Sequence, residues 1–203
     1  MPFLSIHPEN PDTRKIKEVV QALESGAVII YPTDTVYALG CAIDQQAAIA
    51  QICRLRGVDL KKAQFSILCR DISQASAYVS QMANETFRLI KSNTPGPFTF
   101  ILKAGSVLPK TMKNNRKSIG IRIPNHPIAL DLIDGIGKPI LSASFHSDDT
   151  IREYYSDPYE IRELYENQVD YIIDGGTGGL IPSTVIDCTG NTPVIIRQGL
   201  GEL

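Results

Sequence analysis

The sequence predicts an α/β protein: a mixed, twisted sheet with helices packed on it. Three observations carry that prediction. Short apolar runs rich in β-branched residues, such as residues 27–31 (AVIIY), read as buried central strands. Stretches with apolar residues at helical spacing, beginning with Ile16, Val19, Val20 and Leu23, are interspersed with those runs. The alternation never becomes a regular βα repeat, so the sheet is expected to be mixed. A chain of 203 residues is long enough for one well-buried core, and a single domain over residues 1–203 is expected.

In chain order, Asn10-Pro11-Asp12 reads as an N-cap, a proline at the first helical position and an acid in the first turn, opening a helix that Gly26 ends. Residues 27–31 follow as a strand. A second helix begins near Asp44 and carries Ala48, Ile49, Ile52 and Leu55 on one face; residues 65–69 are the next strand. Helical patterns come at residues 73–78 and 85–91. Residues 93–97 (NTPGP) form a rigid turn before the strand-like residues 98–102. Residues 118–123 alternate as a strand should, Pro127 opens a helix through Ile133, and residues 139–141 start another strand. Asp157-Pro158-Tyr159-Glu160 is a capping box opening a helix to about Glu166. Residues 169–174, 184–187 and 194–197 close the chain as short strands.

Composition narrows the function classes. The hydrophobic fraction of 43% and charged fraction of 21% are ordinary for a globular protein. The longest apolar stretch falls far short of the roughly 20 residues that span a bilayer. Residues 1–7 lack the basic and apolar regions of a secretory signal, so a soluble cytoplasmic protein without membrane attachment is expected. Cys41, Cys53, Cys69 and Cys188 have neither disulfide-scaffold nor zinc-site spacing and are expected to be reduced core thiols; no resident metal is expected. A formal net charge of −2 argues against a globally basic nucleic-acid coat, although a local patch can coexist with it.

Several segments set polar side chains in turns beside strands, where ligand sites of α/β sheets tend to lie. The hydroxyls and carboxylate of Tyr31-Pro32-Thr33-Asp34-Thr35-Val36-Tyr37 either meet a polar ligand or tie a hydrogen-bonded turn. In an extended Arg54-Leu55-Arg56-Gly57 both guanidiniums would flank one phosphate; in a helix they would diverge at a solvated end. In Ser118-Ile119-Gly120-Ile121-Arg122-Ile123-Pro124, alternation sets Arg122 opposite Ile121 and Ile123. An arginine in such a strand needs an anionic partner, either a ligand carboxylate or an internal aspartate. The hydroxyls of Ser142-Ala143-Ser144-Phe145-His146 follow a strand directly, and His146 is either a group titrating near neutrality or an exposed loop histidine. The glycines of residues 174–179 (DGGTGG) either let backbone N–H groups approach a ligand closely or form a flexible loop, and they match no standard phosphate-loop motif. Pro182-Ser183-Thr184 and Ile196-Arg197-Gln198-Gly199 complete the set.

Together and in order, these segments resemble the Sua5/YrdC/YciO family. The resemblance rests on residues 31–40 (YPTDTVYALG), 95–102 (PGPFTFIL), 120–124 (GIRIP) with His126-Pro127, 174–176 (DGG), 183–187 (STVID) and Arg197-Gln198-Gly199, and it runs from about residue 28 to residue 199. Residues 52–56 (ICRLR) and 68–71 (LCRD) are similar to the YciO branch in particular. The resemblance implies a twisted open mixed sheet with flanking helices and a large, positively charged concave surface. It implies synthesis of threonylcarbamoyl-AMP from ATP, L-threonine and bicarbonate for the N6-threonylcarbamoyladenosine modification of tRNA, a nucleotidyltransferase activity with Mg²⁺ as a possible cofactor. Binding of tRNA or double-stranded RNA, without turnover, is the alternative it implies. By the same resemblance, Thr35, Arg122 and Ser183 surround the threonine-like substrate. Arg54, Arg56, Ser118, Ser144, His146 and Arg197 surround the ATP or AMP, and Arg56 and Arg122 are the catalytic groups. The family's K-x-R and S-x-N motifs stand here as Arg54-Leu55-Arg56 and Ser144-Phe145-His146, and a family histidine aligns with Leu68. Arg for Lys replaces a compact ammonium by a planar fork.

Overall fold

The computed structural model describes residues 2–109, 112, 117–145 and 154–203. Helix α1 (Thr13–Glu24) starts at Asp12, whose carboxylate accepts from the backbone N–H groups of Arg14 (2.8 Å) and Lys15 (3.3 Å). The cap expected at Asn10 therefore lies two residues too early. The N–H groups of Glu9 and Asn10 donate instead to His7 Nδ1, both at 3.2 Å, which turns the chain before the helix begins. Ile16, Val19, Val20 and Leu23 form its buried stripe, as their spacing predicts. Helix α2 (Gln46–Arg56) runs through both Arg54 and Arg56 and stops at Gly57. Helices α3 (Ile72–Ser76) and α4 (Asn84–Ser92) follow the predicted patterns. Prolines open α5 (Pro127–Ile136) and α6 (Pro158–Tyr165), the latter capped by Asp157.

The strands are β1 (Phe3–Ser5), β2 (Ile29–Tyr31), β3 (Ala38–Ala42), β4 (Ser66–Leu68), β5 (Phe98–Lys103), β6 (Ser118–Arg122), β7 (Ile140–Ala143), β8 (Tyr171–Asp174), β9 (Thr184–Asp187) and β10 (Val194–Arg197). They form one sheet in the order β1-β8-β2-β3-β7-β4-β6-β5-β9-β10. The β1/β8, β2/β8, β4/β6 and β5/β9 pairs are parallel and the others antiparallel, so the sheet is mixed as expected. Sequence periodicity does not reveal β1 or β3. Strand β3 holds only Ala, Leu, Gly and Cys; its pairing with β2 on one side and β7 on the other makes it a strand.

Each face of the sheet carries its own core. On one, Val19, Leu23, Leu132 and Ile133 of α1 and α5 pack on Ile29, Tyr31, Leu68, Ile140 and Ile173. On the other, Ile49 and Ile52 of α2 and Ile161 of α6 pack on Ile30, Leu39, Ile67, Leu141 and Ile172. The layer of α1 and α5 covers only part of its face. Beyond it, alternate residues become small or polar (Ser66, Thr99, Ser118, Gly120, Ser142), while Ile67, Phe100, Ile119, Ile121 and Leu141 between them stay in the opposite core. The period-2 pattern thus leaves part of one face without a helix among the described residues to cover it.

Candidate functional site

That uncovered part is a cavity of about 580 Å³, within the roughly 300–1,000 Å³ usual for ligand pockets. Its floor is one lateral row of the sheet: Ser142, Ser66, Gly120, Ile101 and Asp187 stand in register across β7, β4, β6, β5 and β9. Gly120 keeps the floor flat, since a Cβ there would sit 2.6 Å from Ser66 Oγ.

Two residues beyond Gly120 lies Arg122, with a side chain only 7% exposed. Its Nη2 donates to Asp34 Oδ1 at 2.7 Å and to Thr35 Oγ1 at 3.0 Å. Asp34, whose side chain is 8% exposed, is the internal anion that the sequence left as one of two alternatives. Its Oδ2 accepts from the N–H of Asn125 at 3.2 Å. Arg122 Nε is buried and has no acceptor among the described residues.

Ser183 is buried and shares a 2.8 Å hydrogen bond between its Oγ and Thr99 Oγ1. Its carbonyl accepts from Arg197 Nη2 (2.9 Å) and Nε (3.3 Å), which holds the late arginine against the cavity wall. Arg56, Ser118 and Ser144 line the same cavity. Six of the expected residues, from five separate elements and loops, are thereby brought together. Arg54 is not among them: α2 runs through both arginines, and Arg54 points into solvent. Beyond the helix end the residues two apart that share the cavity are Arg56 and Val58. Thr35 is buried behind Arg122, in the wall of a neighbouring cavity. His146 lies outside the described residues.

Sequence reasoning missed Lys62, Lys103 and Asp187, which also line the cavity. Among the described residues the lining carries five cationic side chains (Arg56, Lys62, Lys103, Arg122, Arg197) and one carboxylate, Asp187. A signal for part of this was present: residues 86–130 contain eight Lys or Arg and no Asp or Glu, within a chain of net charge −2. Asp187 Oδ1 accepts from both the N–H and the hydroxyl of Thr189, at 2.8 and 2.7 Å.

The neighbouring cavity, about 420 Å³, is lined by Thr33, Asp34, Thr35, His126 and the glycine loop. Three of the N–H groups of that loop serve the protein: Gly175 donates to Tyr37 Oη (3.1 Å), Gly176 to Asp174 Oδ1 (2.9 Å) and Gly178 to the Ser156 carbonyl (2.8 Å). Close packing accounts for Gly179, where a Cβ would fall 2.1 Å from the Thr35 carbonyl oxygen. Burial lowers the pKa of His126, against the smaller opposing pull of Asp34 and Glu9, and its Nδ1 has no hydrogen-bond partner among the described residues.

All four cysteines are free and buried; burial raises the thiol pKa of each, that of Cys188 to about 11. Among the described residues no three His, Cys, Asp or Glu gather as metal ligands, and no helix is long and apolar enough to cross a membrane.

Comparison with known proteins agrees with this geometry. The family model Sua5_yciO_yrdC, described as "Telomere recombination", matches residues 21–199. The chain is 45% identical over 203 residues to YciO of Escherichia coli (strain K12), covering 99% of this chain and 97% of that one. The crystal structure of E. coli YciO superposes with a TM-score of 0.92 over the same shares of the two chains. The crystal structure of P. abyssi Sua5 complexed with L-threonine gives a TM-score of 0.88 at 27% identity, covering 98% of this chain and 58% of Sua5. A protein of Halorhodospira halophila named threonylcarbamoyl-AMP synthase is 26% identical over 178 residues, 87% of this chain and 92% of that one. With the motifs, the ten-stranded sheet and these likenesses in agreement, the chain is a member of the Sua5/YciO/YrdC family.

Proposed function

We propose that the cavity on the sheet face binds an adenine nucleotide beside an L-threonine-like amino acid and, with bicarbonate, forms threonylcarbamoyl-AMP. The observation that carries this reading is Arg122: a buried guanidinium whose Nε has no acceptor among the described residues, in the wall of a cavity lined by four further cations. An unsatisfied buried donor costs about 1–3 kcal/mol, and a ligand carboxylate would remove that cost. Arg122 and Ser183, with Thr35 behind, suit the amino acid; Arg56, Arg197, Ser118 and Ser144 suit the phosphates. The L-threonine in the Sua5 complex and the name of the H. halophila relative support the same pairing of substrates.

In this reaction the threonine amine adds to bicarbonate and water leaves, giving a carbamate. A carbamate oxygen then attacks the α-phosphorus as its bond to pyrophosphate breaks. Arg56 stabilises the charge that develops on the leaving pyrophosphate, while Arg122 holds the amino-acid carboxylate in line. Magnesium would arrive with the triphosphate. Asp187, with Oδ1 tied to Thr189, would be the carboxylate to hold such a phosphate-bound ion, which takes one or two carboxylates beside the phosphates. The test is pyrophosphate release by purified protein given ATP, Mg²⁺ and bicarbonate, with and without L-threonine. Release that depends on threonine is expected, and none above a protein-free blank would refute the enzyme reading.

The acid-free stretch of residues 86–130 favours a second reading, in which the same basic surface holds tRNA or duplex RNA without turnover. RNA affinity would then fall steeply as salt rises, because phosphate contacts release counterions. Salt-independent or absent binding would refute it.

A further inference from the structure

We infer that Asp34 is a positioning residue: it holds Nη2 of the Arg122 guanidinium so that the Nε–H is delivered to a ligand on the sheet face. The inference rests on the reading of that cavity as an anion site. Asp34 does not line the sheet-face cavity; it lines the neighbouring one and meets Arg122 from behind. Nη2 is held twice, by Asp34 Oδ1 at 2.7 Å and by Thr35 Oγ1 at 3.0 Å. Thr35 is itself fixed, since its Oγ1 lies 3.1 Å from Thr33 Oγ1, which donates to the Val36 carbonyl at 2.7 Å. The other oxygen of Asp34 accepts from Asn125 N–H, which ties the carboxylate to the turn just after the strand that carries Arg122.

A guanidinium is planar, so two acceptors on Nη2 set the plane of the whole group and therefore the direction of its Nε–H. That Nε is the buried atom left without an acceptor among the described residues. Two effects of Asp34 oppose each other. Its negative charge weakens the raw attraction of the site for an anion, while its grip orients the donor. Orientation wins, because four other cations already line the cavity and one more unit of positive charge adds little. A misdirected fork, by contrast, forfeits a charge-assisted hydrogen bond.

The experiment measures L-threonine and AMP affinity by calorimetry for wild type, Asp34→Asn, Asp34→Ala and a destabilised control, Ile133→Val, in the α5 core. The guanidinium NMR signals of Arg122, in isotope-labelled protein, are recorded alongside. Threonine affinity is expected to fall about ten-fold or more in Asp34→Ala and less in Asp34→Asn, which keeps an acceptor. AMP affinity should change less than about three-fold, and the slowly rotating Arg122 signals should become averaged. Unchanged threonine affinity, or loss of both ligands in step with stability as in the control, overturns the inference. If wild type binds no threonine at all, the functional reading fails separately. The NMR then decides alone: averaged signals sustain the positioning role, and unchanged signals overturn it. Should Asp34→Ala fail to fold, Asp34→Asn supplies both readouts.

Discussion

Replacing Arg122 with alanine takes one member from an ion pair whose side chains are 7% and 8% exposed. The stranded Asp34 carboxylate keeps one donor, the N–H of Asn125. Breaking a buried pair from one side costs about 3–5 kcal/mol, because a charge is left uncompensated. Water from the two adjoining cavities can reach Asp34 once the arginine is gone, which places the expected loss near the lower end, about 3 kcal/mol. In a chain of 203 residues that corresponds to a fall in Tm of roughly 6–12 °C. A typical domain stability of about 5–15 kcal/mol leaves such a variant folded at room temperature.

A double-mutant cycle separates the pair from its surroundings. Urea unfolding of Arg122→Ala, Asp34→Ala and the double variant should show that the second substitution costs less once the first is made, with a coupling of about 1.5–3 kcal/mol. Coupling below about 0.5 kcal/mol would refute the claim that these two groups stabilise each other. Complete unfolding of Arg122→Ala would instead make the arginine chiefly structural and remove the ground for assigning it to a ligand.

Other outcomes follow from the same geometry. Arg56→Ala should weaken nucleotide binding about ten-fold or more, while Arg54→Ala, at a solvent-facing position, should leave it unchanged; calorimetry showing equal effects would contradict the cavity lining. Val58→Arg should strengthen nucleotide binding, because positions 56 and 58 share the cavity wall, and equal or weaker binding would count against a phosphate there. Gly179→Ala drives a Cβ to within 2.1 Å of the Thr35 carbonyl oxygen, so a stability loss of about 2–3 kcal/mol and weaker threonine binding should appear together in urea and calorimetric measurements. His126 has a folded pKa below its unfolded value of 6.5. The unfolded chain therefore binds its proton first on acidification, and stability present above that unfolded value is lost as the pH falls through it toward the folded pKa. The urea midpoint should track this, and His126→Gln should flatten that part of the profile.

What could be read in the sequence was local. The stripe of α1, the alternation of β6 and the prolines opening α5 and α6 depend on neighbours a few residues apart, and each sits where its pattern places it. Strand β3 was illegible because small residues carry no strand signal of their own; its neighbours in the sheet decide its conformation. The phase of the basic motif depended on where α2 ends, and a shift at Gly57 exchanges Arg54 for Val58 in the cavity. The partner of Arg122 lies 88 residues away, so spacing could say that an anion was needed but not which one. The floor of the site was hidden for the same reason, since it is a row across five strands that only the register assembles.

The site and the fold share one cause. The layer of α1 and α5 stops where most alternate residues of β4, β5, β6 and β7 (Ile101 apart) cease to be large and apolar, because serine, threonine and glycine give a helix little to bury. Strand faces of that kind are stable only with their polar groups hydrated or bound, and here arginines and lysines from strands, a helix end and loops line the same cavity. Filling the row with isoleucine or valine would extend the apolar core and recruit a helix or a partner in place of an anion. The break in apolar alternation along β4, β5, β6 and β7 is therefore the physical origin of the cavity, and the charge of its lining decides what it can hold.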